Sequence, residues 1–284
     1  MKTLFALLMV AALLAAPCSH AQNRVHYNSQ DLFLSGANLA WSSFANDIGP
    51  NPSTPDTNHF ADVFNQIHTN GGNSLRLWLH TTGANTPAWS GSTVTGPGNN
   101  TIADLQKILD LAWQRKVGVI LCLWSFDMLR TNNGATITTR SRNILTNDVY
   151  RQAYITNCLV PMVQAVKEHP AIIAWEIFNE PEGMSDEFGW DFNYHVPMSA
   201  IQRFINQCGG AIRRTDPKAR VTNGSWSFYA TTDAGSGNFN YYTDARLIAA
   251  GGDPDGYLDF YTVHYYDWAG TERSPFQHPA SYWG

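Results

Sequence analysis

Two stretches leave this chain few ways to fold: VGVILCLW, residues 117–124, and AIIAWEIF, residues 171–178. Both have the composition of strands buried on both faces, with no alternation of polar residues toward solvent. Strands of that kind belong to parallel sheets covered by helices. Four further runs read as strands: LFLSGANLAW (32–41), NSLRLWLH (73–80), ARVTNGSW (219–226) and YLDFYTVHYY (257–266).

Helical patterns fill the gaps. Asp56 or Thr57 opens a helix reaching about His68. Thr101, with Asp104 three residues on, has the form of a capping box ahead of the stripe Ile102, Leu105, Ile108, Leu109 and Ala112. The stretch up to Thr146 reads as a polar loop. Asn147 then caps a long helix with the stripe Ala153, Cys158, Met162, Val163 and Val166, and Pro161 inside it is expected to kink it. A helix from about Pro197 to Thr215 ends at the turn Asp216-Pro217.

This alternation means parallel βα units and an α/β fold, either an open doubly wound sheet or a (β/α)8 TIM barrel. No glycine-rich phosphate loop follows the first strand, which disfavours the nucleotide-binding open sheet. Polar or aromatic residues end nearly every strand, which favours the barrel. A barrel needs eight strands. The sixth ends shortly before Gly284, so about six βα units are expected here and the last two beyond the chain.

The segment MKTLFALLMVAALLAAPCSHA, residues 1–21, reads as a signal peptide: a lysine, an apolar core and a small-x-small ending. Residues 22–284 are then one C-terminally incomplete domain of a secreted protein, extracellular or periplasmic, with no membrane contact after cleavage and a monomer when complete. Cys122, Cys158 and Cys208 remain, each in an apolar pattern, and read as buried small hydrophobes. No Cys/His spacing fits zinc, and neither metal nor cofactor is expected. A net charge of -5 with 14% charged residues argues against a nucleic-acid partner.

The strand at 171–178 ends in Asn179, Glu180 and Pro181. Proline cannot continue the ladder and biases Glu180 toward extended backbone. An acid at the carboxyl end of a barrel strand is where such folds place chemistry. Arg76 lies among Leu75, Leu77 and Trp78, and burial of its charge requires a carboxylate partner. Glu176 is the structural candidate.

HPAIIAWEIFNEPEG resembles the fourth-strand signature of glycoside hydrolase family 5, and LRLW, RRTDPKARV and VHYYDW are similar to that family's second strand, approach to the fifth, and sixth. GANLAW and VILCLW are most similar to its bacterial β-mannanases. The resemblance implies retaining glycoside hydrolysis, which needs two carboxyl groups roughly 5–5.5 Å apart. It makes Glu180 the acid/base, Asn179 the partner of the sugar 2-hydroxyl, and Arg76 a neighbour of the nucleophile. His264 is implied to touch sugar or acid/base, and Tyr266 to hold the nucleophile. Trp124, Trp226 and Trp268 are candidate platforms for sugar rings.

In the family the nucleophile lies on the seventh strand, so it is expected beyond this chain, and the polypeptide as given is expected to be inactive. The implied substrate of the whole enzyme is β-1,4-mannan. A β-1,4-glucan, or a non-catalytic carbohydrate-binding role, stays open.

Overall fold

The computed structural model describes residues 25–27, 29–49, 55–190, 192 and 194–266. The leader expected over 1–21 and Trp268 lie outside these residues, as do residues 267–284 as a whole. The chain divides into two units, Met1–Leu34 and Ser35–Gly284. In the first, Val25–Tyr27 and Gln30–Leu32 pair as an antiparallel hairpin.

The second unit is built on a six-stranded sheet. Its strands are β1 (Gly36–Asn38), β2 (Ser74–Thr81), β3 (Gly118–Ser125), β4 (Ile172–Asn179), β5 (Val221–Ser225) and β6 (Thr262–Val263). Every neighbouring pair is parallel, and the spatial order is the sequence order. A doubly wound sheet reverses its order at a switch point, whereas a barrel never does. The described strands therefore follow the barrel path.

Two strands are shorter than their sequence patterns. Leu32 belongs to the hairpin, so β1 begins only at Gly36. There the backbones approach so closely that a Cβ on Gly36 would sit 1.7 Å from the Ser74 carbonyl oxygen. In the last apolar run only Thr262 and Val263 pair with β5.

The first helix, α1 (Thr57–Thr69), starts as expected, with the Asp56 side chain accepting from His59 N–H at 3.0 Å. It buries Phe60, Phe64 and Ile67, positions i, i+4 and i+7 of one face. The capping box ahead of α2 (Thr101–Gln114) does not form. Thr101 is already helical, its hydroxyl donates to Pro97 O, and Asp104 accepts from Gly49 N–H at 3.0 Å. The acid ties a distant loop to the helix instead of closing its own first turn.

The stretch read as a polar loop contains α3 (Ala135–Thr146), which buries Thr138, Ser141, Ile144 and Leu145. Small polar residues carry half of that face, so the apolar stripe is faint. Asn147 caps α4 (Asp148–Tyr154) by accepting from Val149 N–H at 2.9 Å. A π turn at Ile155–Leu159 leads into α5 (Val160–Ala165). Pro161 lacks the N–H an α-helix would use there, and the wider π turn just ahead absorbs the missing donor. The last crossovers carry α6 (Met198–Thr215) and α7 (Asp244–Gly251). The short α7 has no sequence stripe long enough to announce it. Cys122, Cys158 and Cys208 are free and buried.

Candidate active site

Along β2 the side chains alternate, so Leu75 and Leu77 face opposite to Arg76. On its own face Arg76 meets Glu176 of β4: Nε lies 3.1 and 3.0 Å from the two carboxylate oxygens, and Nη2 also donates to Oε1. Glu176 is fully buried. Nη1 reaches Asn38 Oδ1 at 3.2 Å, and Nη2 reaches Asn179 Oδ1 at 3.0 Å. Burial works against the charged guanidinium, but Glu176, with Cys122 and Glu180 adding to it, outweighs burial and holds the pKa of Arg76 above its ordinary value. The carboxylate that Arg76 requires is thus the structural candidate on β4.

Strict alternation would turn residues 176 and 179 to opposite faces. The β4–β5 register shifts between them, with Glu176 opposite Thr222 and Asn179 opposite Gly224. One extra residue on β4 brings both to the same guanidinium. Gly224 makes this possible, since a Cβ there would meet Glu176 Oε1 at 2.3 Å and Arg76 Nη2 at 3.0 Å.

Glu180 follows at the strand's end, 6% exposed. Its backbone is left-handed, φ 51° and ψ 51°, not the extended form expected before a proline. The N–H continues the ladder to Gly224 O at 2.6 Å, while the turn of the chain swings the side chain toward β6. There His264 Nδ1 and the Tyr266 hydroxyl both lie 2.6 Å from Glu180 Oε1. Burial alone would raise the carboxyl's pKa; the two partners outweigh it and hold it below the usual glutamate range. Tyr266 is pushed up to about 12 by burial and by this same bond. Tyr266, implied by resemblance to hold a nucleophile, here holds Glu180.

Tyr266→Phe removes a donor that favours the charged form over the neutral one, so the Glu180 pKa should rise. A carbon-detected titration of the Glu180 carboxyl should show its midpoint moving upward. An unchanged or lower midpoint would mean that the hydroxyl does not stabilise the carboxylate.

Glu182, two residues on, is fully buried. Its Oε1 accepts from Ser225 Oγ and Tyr242 OH, each at 2.5 Å, and its Oε2 from Trp226 N–H at 3.0 Å. Burial pushes the carboxyl up, and these donors only partly oppose it. Asp127, just past β3, is also raised, first by burial and further by the charge of Glu180. The sequence patterns assigned no role to Asp127 or Glu182. Their signal is weak, because a lone acid in a loop is usually a solvated surface group.

A family model for Cellulase (glycosyl hydrolase family 5) matches residues 35–280. The chain belongs to glycosyl hydrolase family 5. The Mytilus edulis protein "Mannan endo-1,4-beta-mannosidase" is 35% identical over 304 aligned positions, covering 98% of this chain and 80% of that one. The solved endo-1,4-beta-mannanase from Eisenia fetida superposes with a TM-score of 0.80 at 37% identity, covering 90% of this chain and 75% of that one. The beta-1,4-mannanase from the sea hare Aplysia kurodai gives 0.82 at 35%, covering 93% and 80%. The family 5 fold is the (β/α)8 barrel, of which the described residues supply the six-stranded parallel arc.

Of the family 5 residues read from sequence, Arg76, Asn179, Glu180, His264 and Tyr266 come together. Trp226 stands beside them, half-buried, with Phe188 and Trp190 against its ring at 5.6 and 6.0 Å. Trp124, a candidate platform in the sequence, does not join them. It is 1% exposed and packs against His80 and Tyr154 at 4.8 and 5.3 Å. Burial pushes His80 down to about 3, so the ring beside Trp124 is neutral. With no face open, Trp124 belongs to the core and offers no sugar platform.

Proposed function

We propose that the protein is a secreted, retaining endo-β-1,4-mannanase in which Glu180 is the general acid/base. The observation that carries this reading is Glu180 itself: a nearly buried carboxyl at the end of β4, gripped through one oxygen by His264 and Tyr266. It stands in a chain 35% identical to a mannan endo-1,4-β-mannosidase. Among the described residues Oε2 accepts no hydrogen bond, and it is the oxygen left for the glycosidic bond.

In the first step the protonated form of Glu180, which His264 and Tyr266 make the minor one in this site, gives its proton to the leaving oxygen as a second carboxylate attacks the anomeric carbon; in the second step the carboxylate takes a proton from water. The second carboxylate is assigned to the family's seventh strand. Asn179 meets the sugar 2-hydroxyl, where a hydrogen bond strengthens as the ring gains oxocarbenium character. Arg76, neutralised by Glu176, orients the Asn179 amide through Nη2. Trp226 offers an indole face to a sugar ring. The substrate is an uncharged polymer of pyranose rings whose C–H faces can lie on an indole, which suits an aromatic cleft and a sparsely charged chain. The protein acts as a monomer and needs neither nucleic acid nor membrane.

Proton NMR of the first products tests the mechanism. β-1,4-Mannan should be hydrolysed by the full-length protein with the β-anomer appearing first. An initial α-anomer would exclude retention, and turnover of cellulose in preference to mannan would overturn the substrate.

A further inference from the structure

Arg76 and Asp127 stand at opposite ends of a run of buried polar groups, and their chemistry sets the direction of every bond between them. Arginine only donates, so the Asn179 atom 3.0 Å from Arg76 Nη2 is Oδ1. The amide nitrogen faces the other way, and Nδ2 donates to Ser125 Oγ at 3.4 Å. Ser125 has one hydroxyl proton and donates it to Asp127 Oδ2 at 2.6 Å. A carboxylate has no proton to return. The backbone N–H of Asp127 donates back to Ser125 Oγ at 3.4 Å, and Arg130 Nε holds Asp127 Oδ1 at 3.2 Å. Ser125 is fully buried and Asn179 nearly so, which keeps water from competing.

Arg76 alone decides which amide atom lies where. It does not fix the amide plane, because the last torsion of asparagine is broad. A second contact is needed for that, and Ser125 supplies it. A primary amide has two N–H donors; Ser125 takes one and the other remains for a ligand.

We infer that Ser125 and Asp127 are positioning residues that hold the Asn179 amide in the plane where its second N–H meets the sugar 2-hydroxyl. The inference rests on the glycosidase reading above. Asp127 acts only through Ser125, and Ser125 only through Asn179.

The test compares an aryl β-mannobioside with its analogue lacking the 2-hydroxyl on the reacting sugar, using the full-length enzyme. Ser125→Ala removes the link; Asp127→Asn keeps it but lets its direction reverse, and should cost less. A misplaced transition-state contact costs up to about 100-fold, so Ser125→Ala should lower kcat/KM on the parent substrate by roughly 10- to 100-fold. Most of the loss should lie in kcat, since the contact tightens only in the transition state. On the 2-deoxy substrate both variants should stay within about 3-fold of wild type, because the contact they serve is gone. Equal loss on both substrates, or no loss on either, would overturn the inference. If Ser125→Ala does not fold, Asp127→Asn decides by the same comparison. Wild-type protein that cleaves neither substrate would instead overturn the glycosidase reading, and the inference with it.

Discussion

Glu180→Gln should reduce hydrolysis of mannan by about 100- to 10,000-fold, the span that general acid–base catalysis ordinarily contributes. The same variant should retain much of the first step on an aryl glycoside with an activated phenolate leaving group. Such a group departs with little protonation, so the step Glu180 assists as an acid is no longer demanding. Loss of the base then stalls the second step, and the covalent intermediate accumulates as a burst of phenolate. Azide should restore turnover, because a small anion attacks without a general base. Gln keeps the side chain's size and can still accept from His264 and Tyr266, so the comparison isolates the proton. Equal loss on both substrates, with no response to azide, would remove Glu180 from the acid/base role.

The largest effect on stability should come from Glu176→Gln. It neutralises the one carboxylate hydrogen-bonded to Arg76 among the described residues, in a place where both side chains are at most 9% exposed. Breaking a buried pair from one side typically costs about 3–5 kcal/mol, since the remaining charge stays buried without its counterion. In a domain of this size that is a fall in Tm on the order of 10 °C. Arg76→Met combined with Glu176→Leu should cost less than Glu176→Gln alone, because no charge is then stranded. Denaturant unfolding of the single and double variants decides the matter. A single-variant loss below about 1 kcal/mol would show that solvent or another group screens Arg76.

The sequence made the third and fourth strands plain because each is buried on both faces and carries a nearly continuous apolar run, and the second because leucines and a tryptophan flank Arg76 along it. It also marked Glu180 and Arg76, a strand-end acid and a charge in an apolar strand being hard to explain otherwise. Other features were hidden for definite reasons. The amphipathic face of α3 is half Thr and Ser, so its period is faint. The register shift that turns Glu176 and Asn179 to one guanidinium depends on how β4 meets β5, which no local pattern encodes. Glu180 takes a left-handed conformation against the bias of the following proline, held by its N–H on Gly224 and its carboxyl on β6. Trp124 has the same local sequence signature as Trp226, and the packing of His80 and Tyr154 against it makes it core.

Glu182 bears on how such a protein can change. Its carboxylate receives the backbone of Trp226, and it lies two residues along the chain from Glu180. The indole and the acid are therefore joined by a short tether, with no route through the helices. On the roles proposed above, sliding the Trp226 surface to suit a differently shaped polymer drags Glu180 with it. Adaptation to a new substrate has to come from elsewhere around the rim, or has to cut this tether first. Selectivity and turnover are then one inherited trait at this corner of the barrel, not two that can drift apart.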